Sequence, residues 1–264
     1  MKKLFAIFGD PVAHSRSPLM HNYVFKSLHV DACYTRIHLK DSHKLKETFF
    51  ALGLSGANVT VPHKEAAFAA CDEVRGFAKT IGVVNTLINE EGRLIGYNTD
   101  ADGFMYAIRD FAPIHTILLL GAGGTAKALA NKFIHEGLHV TLLNRSEGRL
   151  EYFKARGMSC HTWETFEPKA FDLLVNTTSA GLQDDAYPAP LELLKPTLEQ
   201  SRYGADAIYG KITPFLALAH QLNIPSIDGS AMLLAQGVLA CEHFTQYRFP
   251  KEQLEATMNH SFAF

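Results

Sequence analysis

Apolar residues in this chain fall into short runs separated by stretches with helical spacing. The run "KLFAIFGD" (3–10) is closed by Gly9-Asp10-Pro11, which predicts a buried strand and then a loop. Ser17-Pro18 provides a cap and a first-turn proline for the helix "PLMHNYVFKSL" (18–28). "CYTRIHL" (33–39) predicts a strand, "HKLKETFFALGL" (43–54) a helix, "ANVTV" (57–61) a third strand and "HKEAAFAACDEV" (63–74) another helix. "VVNTLINEEGRLIGYN" (83–98) alternates as a hairpin does, with Glu90-Glu91-Gly92 at its turn. Beyond the helix "ADGFMYAIRDF" (101–111) and Pro113 a second series begins. Its strands are "HTILLLG" (115–121), "HVTLLN" (139–144), "FDLLVN" (171–176) and "GADAIY" (204–209), with helical segments between them.

Strands alternating with helices predict an α/β protein. We expect two domains. Residues 1–102 carry a mixed or parallel sheet and bind substrate; residues 103–228 form a Rossmann-like domain. The helices from Gly229 onward (229–264) have no strand to follow. They are expected to return to the first domain and bury Met232, Leu233, Leu234 and Val238 there.

Composition narrows the function. Hydrophobic residues make up 47% of the chain and charged residues 20%, the balance of a globular protein with a sizeable core. A net charge of −2, with Lys and Arg dispersed, offers nothing to attract nucleic acid or a membrane surface. Cys33, Cys71, Cys160 and Cys241 have the spacing of neither a disulfide framework nor a metal site, so they read as apolar fillers in a reducing compartment. No histidine pair has metal-ligand spacing, and no metal is expected. The N-terminal apolar run is too short for a signal peptide and no run could span a membrane, so a soluble cytoplasmic protein is expected.

One segment carries recognisable chemistry. "GAGGTA", Gly121 to Ala126, joins a strand to an Ala-rich helix in the pattern G-x-G-x-x-A, a variant of the dinucleotide fingerprint. Gly121 permits the tight turn, Gly123 lets backbone N–H groups approach a pyrophosphate, and Ala126 lets helix pack on strand. Ala122, Gly124 and Thr125 complete the loop, and the helix N-terminus favours phosphate. An NAD enzyme usually has a carboxylate about twenty residues on. Here the second strand ends in Asn144, followed by Arg145, Ser146 and Arg149. Two guanidiniums suit a 2′-phosphate, so the cofactor reads as NADP(H).

Lys64, at the end of "NVTVPHK", reads by itself as a solvated residue of a first helical turn. Asp100, in "GYNTD", reads by itself as a helix cap. A dinucleotide domain preceded by another α/β domain changes that, because ligands of open parallel sheets bind beyond the carboxyl ends of the strands. Lys64, Asp100, Ser15 and Ser17 follow strands and Asn85 begins "NTL", so these side chains could converge from one sheet's loops, and the Ser hydroxyls and Asn amide suit a polyhydroxylated, carboxylated small molecule.

With these segments in order, the chain resembles the shikimate dehydrogenase family along nearly its whole length. The resemblance rests on "HSRSPLMHN", "GANVTVPHKE", "GVVNTL", "GYNTDADG", "GAGGTAKA", "NRS", "NTTSAG", "TPF" and "DGSAMLLAQG". It implies NADP-linked interconversion of 3-dehydroshikimate and shikimate on the route to chorismate and aromatic amino acids. It also implies Lys64 and Asp100 as the catalytic pair, Ser15 and Ser17 on the substrate carboxylate, and Thr60, Asn85, Tyr209 and Gln236 on ring hydroxyls or carboxylate. Gly121 to Thr125 and Asn144 to Arg149 match the family's cofactor segments, with Ala207 and Gly229 lining the nicotinamide pocket. Lys211 stands where the family usually has proline, which predicts a looser loop after Tyr209. Two other readings stay open: a quinate/shikimate dehydrogenase of relaxed specificity, and a non-catalytic dinucleotide-binding regulator. The expected partner is a small molecule, not nucleic acid or membrane, and a homodimer is left open.

Overall fold

The first apolar run forms β1 (Lys3–Gly9) in a computed structural model that describes residues 2–263. There follow α1 (Ser17–Ser27), β2 (Ala32–His38), α2 (Leu45–Ala51), β3 (Gly56–Val59), α3 (Lys64–Ala70), β4 (Glu73–Val74), α4 (Ala78–Ile81), β5 (Thr86–Glu90) and β6 (Arg93–Tyr97). β1 lies parallel to β2 and β3. β5 runs antiparallel to β3 and to β6, giving a mixed sheet in the order β2-β1-β3-β5-β6-β4. The hairpin turns at Glu91-Gly92, both at positive φ (52° and 82°), as a tight two-residue hairpin turn requires.

Two expected boundaries move. The helix expected over 63–74 stops at Ala70, where Cys71 turns extended and Glu73–Val74 pairs with Ile95–Gly96 of β6. The strand expected through Val61 stops at Val59, which leaves Thr60 in the loop.

α5 (Asp100–Ala107) leads into the second series: β7 (Thr116–Leu120), α6 (Gly124–His135), β8 (His139–Leu143), α7 (Glu151–Lys154), β9 (Ser159–His161), β10 (Leu173–Asn176), α8 (Leu191–Glu199), β11 (Tyr203–Asp206), α9 (Pro214–Gln221) and β12 (Ser226–Ile227). β9 and β12 lie outside the expected strands; each has three residues or fewer. All these strands are parallel, in the order β9-β8-β7-β10-β11-β12. Numbered within this sheet that is 3-2-1-4-5-6, the doubly wound order, which reverses between β7 and β10. The four leucine and isoleucine positions of β7 serve two cores: Ile117 and Leu119 join one cluster, Leu118 and Leu120 the other. A parallel strand covered by helices on both faces needs this continuous apolar run.

α10 (Ser230–Phe244) and α11 (Lys251–Asn259) complete the chain's described helices. The residues divide into two compact units, 1–103 with 234–264, and 104–233. In the first unit α10 is clamped at Gly237, where a side chain would strike Met20 of α1 and Met258 of α11 at 2.8 and 3.0 Å. Phe244 of α10 lies 4.7 Å, centroid to centroid, from Phe5 of β1. Of the four apolar residues expected to bury there, Val238 does so. Leu233 and Leu234 are only partly buried. Met232 packs against the core of the second unit instead.

Candidate active site

The topology of the first unit collects polar residues at one end of its sheet. β1 and β3 are parallel, so the loops that leave them start side by side, tied by Thr60 N–H to Phe8 C=O (2.8 Å) and Asp10 N–H to Val61 C=O (3.1 Å). β5 enters the sheet from that same end and β6 leaves at it, since Thr86 pairs with both Asn58 and Tyr97. Segments distant in sequence therefore bring Ser15–Ser17, Thr60–Lys64, Asn85 and Asn98–Asp100 to one rim. Gly9 permits this crowding, because a side chain there would lie 2.5 Å from the Thr60 methyl.

At the centre, Lys64 Nζ donates to Asp100 Oδ2 at 2.6 Å. Both side chains are largely removed from solvent, at 17% and 11% exposure. Burying an ion pair gains little stability, since desolvation offsets the attraction. Its placement at a strand end is therefore better explained by chemistry than by folding. The cap expected as Asp100's alternative role is provided by Asn98, whose Oδ1 accepts from the N–H groups of Asp100 (3.1 Å) and Ala101 (3.4 Å). Lys64 is anchored by its own carbonyl, which accepts from Val84 N–H at 3.0 Å. The residue before it, His63, is fully buried, with one ring nitrogen 2.6 Å from Leu39 C=O and the other 2.6 Å from Ser42 Oγ. The carbonyl can only accept, so Nε2 carries a proton.

Around the pair, buried side chains hold one another. Asn85 donates to Thr99 Oγ1 (3.0 Å) and accepts from Thr99 N–H (2.8 Å). Asn58 donates to Thr86 Oγ1 (3.1 Å) and accepts from the Tyr34 hydroxyl (2.7 Å). Ser15 and Ser17 are buried, with hydroxyls 3.3 Å apart, and Arg36 fixes the loop by donating to Ser15 C=O at 2.6 Å. Gln236 lies on α10 against α5, where the missing side chain of Gly103 lets the helices meet; a Cβ there would sit 2.7 Å from Gln236 N. Gly103 is one turn beyond Asp100, so this contact faces the site's side of α5.

The second unit builds its site mostly from backbone. Gly121 takes φ +102°, and its absent side chain would strike Thr178 Cγ2 at 2.8 Å. The fingerprint turn after β7 thus abuts the loop after β10, at the point where strand order reverses. At Gly123 and Gly124 a Cβ would meet nothing within 4 Å, which is room for a ligand at the start of α6. Ala126 is fully buried against the sheet. Asn144 stands at the end of β8, its amide donating to Ser146 C=O at 2.8 Å, and Arg145, Ser146 and Arg149 are exposed. These residues fit NADP(H): an open glycine turn for the pyrophosphate and two guanidiniums, with no carboxylate at the strand end, for a 2′-phosphate. Ala207, Tyr209 and Gly229 lie together. Gly229 N–H donates to Ile208 C=O at 2.9 Å, and a side chain on Gly229 would lie 2.3 Å from Ala207 O. Lys211, in the position expected to loosen this loop, reaches Leu182 C=O at 3.4 Å.

Several of these partners lack a sequence signal. Arg36, Tyr34 and His63 read as ordinary strand or turn residues, and Asn98 and Thr99 carry none of their own beside Asp100. Among the described residues no cluster of His, Cys, Asp or Glu is arranged to hold a metal, and no helix is long and apolar enough to cross a membrane.

The doubly wound sheet, its fingerprint turn and the Lys–Asp pair define a two-unit, dinucleotide-dependent α/β oxidoreductase. Comparison with known proteins gives the family. Residues 7–87 match the family model described as the shikimate dehydrogenase substrate binding domain. A shikimate dehydrogenase (NADP(+)) of Helicobacter hepaticus is 43% identical over 257 residues, 97% of this chain and 96% of that protein. One of Helicobacter pylori is 43% identical over 94% of each. The crystal structure of shikimate 5-dehydrogenase from Thermus thermophilus, in complex with NADP(H) and shikimate, superposes with a TM-score of 0.85 at 34% identity, covering 98% of this chain and 99% of that one. The chain belongs to the shikimate dehydrogenase family.

Proposed function

We propose that this protein catalyses the reversible NADPH-dependent reduction of 3-dehydroshikimate to shikimate, in chorismate and aromatic amino-acid biosynthesis. The observation that carries the reading is the largely buried Lys64–Asp100 pair, 2.6 Å apart, at the polar rim of the first sheet. When bound, NADPH supplies a hydride to the C3 carbonyl carbon.

Lys64 meets the consequence of that transfer. Negative charge grows on the C3 oxygen, and the Nζ ammonium stabilises it and delivers the proton that completes the alcohol. Asp100 holds Nζ in place through their 2.6 Å contact. In the reverse direction the neutral amine accepts the hydroxyl proton. Ser15 and Ser17 donate to the substrate carboxylate, and Thr60, Asn85, Tyr209 and Gln236 contact carboxylate or ring hydroxyls. In the second unit Gly121, Ala122, Gly123, Gly124 and Thr125 hold the pyrophosphate, and Asn144, Arg145, Ser146 and Arg149 hold the 2′-phosphate end. Ala207 and Gly229 line the nicotinamide side. The division of labour follows the two units, 1–103 with 234–264 for substrate and 104–233, Gly229 included, for cofactor. The work is cytoplasmic, in keeping with four free cysteines.

The test is an assay of the purified protein followed by absorbance at the nicotinamide band: reduction of 3-dehydroshikimate with NADPH or NADH and, in the reverse direction, oxidation of shikimate or quinate with NADP+. Turnover of 3-dehydroshikimate with NADPH far above that with NADH, and of shikimate with NADP+ far above that of quinate, is expected. Equal turnover of quinate and shikimate would make the enzyme a quinate/shikimate dehydrogenase. Tight NADPH binding without turnover would make it a regulator.

A further inference from the structure

We propose that Asp206 is the positioning residue for the nicotinamide half of the cofactor site; the inference rests on the NADP(H) reading above. Asp206 ends β11 and is 1% exposed. Its carboxylate receives four hydrogen bonds. Asn176 Nδ2 donates to both oxygens at 3.1 Å, Ile208 N–H to Oδ1 at 2.9 Å, and the Thr213 hydroxyl to Oδ2 at 2.6 Å. None of these donors is a lysine or arginine. Burial pushes the carboxyl up from its usual value, and the hydrogen bonds from Thr213, Ile208 and Asn176 oppose that rise.

Each donor belongs to a different piece of the site. Asn176 ends β10, and its Oδ1 accepts from Thr178 N–H (3.0 Å) and the Thr178 hydroxyl (2.7 Å), which sets the loop that abuts Gly121. Ile208 sits in the loop of Ala207 and Tyr209, and its carbonyl is held by Gly229 N–H at 2.9 Å. Thr213 caps α9, accepting from Leu216 N–H at 3.2 Å while donating to Asp206. One buried carboxyl group thus fixes the loops after β10 and β11 and the start of α9. The adenine end lies elsewhere, at β8 and beyond it, because the doubly wound sheet binds one mononucleotide in each half. An amide at 206 keeps one acceptor oxygen where the carboxyl has two, so either Ile208 N–H or the Thr213 hydroxyl loses its acceptor.

The test compares two ligands on the full-length protein by calorimetry: NADP+, which spans both halves, and 2′,5′-ADP, which occupies only the adenine half. Asp206→Asn should weaken NADP+ by about tenfold or more while leaving 2′,5′-ADP within about twofold. The KM for shikimate should stay within about threefold, since losses of cofactor positioning fall on the cofactor. Thr213→Val should act in the same direction less strongly, and Thr213→Ser should restore wild-type affinity. Unchanged NADP+ affinity in Asp206→Asn, or parallel loss of NADP+ and 2′,5′-ADP, overturns the inference. Should Asp206→Asn not fold, the Thr213→Val and Thr213→Ser pair decides by the same two affinities. Wild-type protein that binds neither ligand overturns the NADP(H) reading itself, a result separate from any variant's.

Discussion

The two units solve the problem of holding a small molecule in opposite ways. In the second unit the surface proposed to face the ligand is a glycine turn and a helix start, with two exposed arginines at the next strand end. In the first it is a set of buried side chains that grip one another: Lys64 with Asp100, Asn85 with Thr99, Ser15 with Ser17. Phosphate is a generic group that backbone N–H groups can hold, so a short contiguous motif suffices. A substrate with a carboxylate, a carbonyl and ring hydroxyls needs donors and acceptors of different kinds in fixed places. No single turn offers that variety, and a sheet whose strand ends converge does.

The sharpest way to break this comparison is at Lys64. Lys64→Ala should lower kcat by a factor on the order of 10² or more with a smaller effect on KM, because the ammonium acts on charge that appears in the transition state. Asp100→Asn should also depress kcat, and the double variant should lose less than the product of the single losses. Near wild-type kcat in a folded Lys64→Ala protein would make Lys64 a structural residue. In the second unit Arg145→Ala with Arg149→Ala should raise the KM for NADPH far more than that for shikimate, each contact contributing about 1.5–3 kcal/mol. A double variant that still prefers NADPH to NADH would move the 2′-phosphate site elsewhere. Ser15→Ala with Ser17→Ala should weaken shikimate binding by about tenfold, with cofactor affinity intact, because neutral hydroxyl donors to a carboxylate contribute about 1–2 kcal/mol together.

Acid should separate the units as well. His21 of the first unit is fully buried against Tyr34 and Phe244. Burial, only partly offset by Asn58, pushes it from 6.5 down to about 3. The unfolded chain then binds a proton that the folded one refuses, so stability present above pH 6.5 is lost as pH falls toward 3, at up to about 1.4 kcal/mol per pH unit. Asp172 of the second unit is lowered to about 2. Burial opposes this shift, but the N–H groups of His115 and Thr116, with Arg202, outweigh it. Its contribution persists down to pH 3.8 and is lost from there toward 2. Unfolding of His21→Phe followed against pH should lack the upper part of the acid slope. Asp172→Asn should lose about 1–2 kcal/mol at neutral pH and nothing near pH 2. An unchanged slope in His21→Phe would assign the acid sensitivity to other groups.

The same contrast explains what could be read from the chain. The second unit's order and its turn follow from strongly apolar strands and a glycine triplet, which are local signals. Strands such as β4, β9 and β12 are too short to carry any periodicity, and they form only because a neighbouring edge accepts them. Lys64, Asp100, Ser15, Ser17 and Asn85 were legible as polar residues at strand ends and as members of a family pattern. Their supports were not: Arg36, Tyr34, His63 and Asp206 are ordinary strand and turn residues until the sheet brings their partners within 3 Å or so. Met232 joins the core of the other unit for a related reason. A helix's apolar face shows that something covers it but does not name the neighbour.

The discontinuity of the first unit has a consequence for biosynthesis. Residues 1–103 leave the ribosome first, yet the segment that lays Phe244 beside Phe5 and Gly237 between Met20 and Met258 emerges only after residue 233. Residues 104–233 are contiguous and can fold as soon as they clear the exit tunnel. The unit translated first therefore completes its core last, because β1 and α1 gain their covering helices only when the final segment has been made.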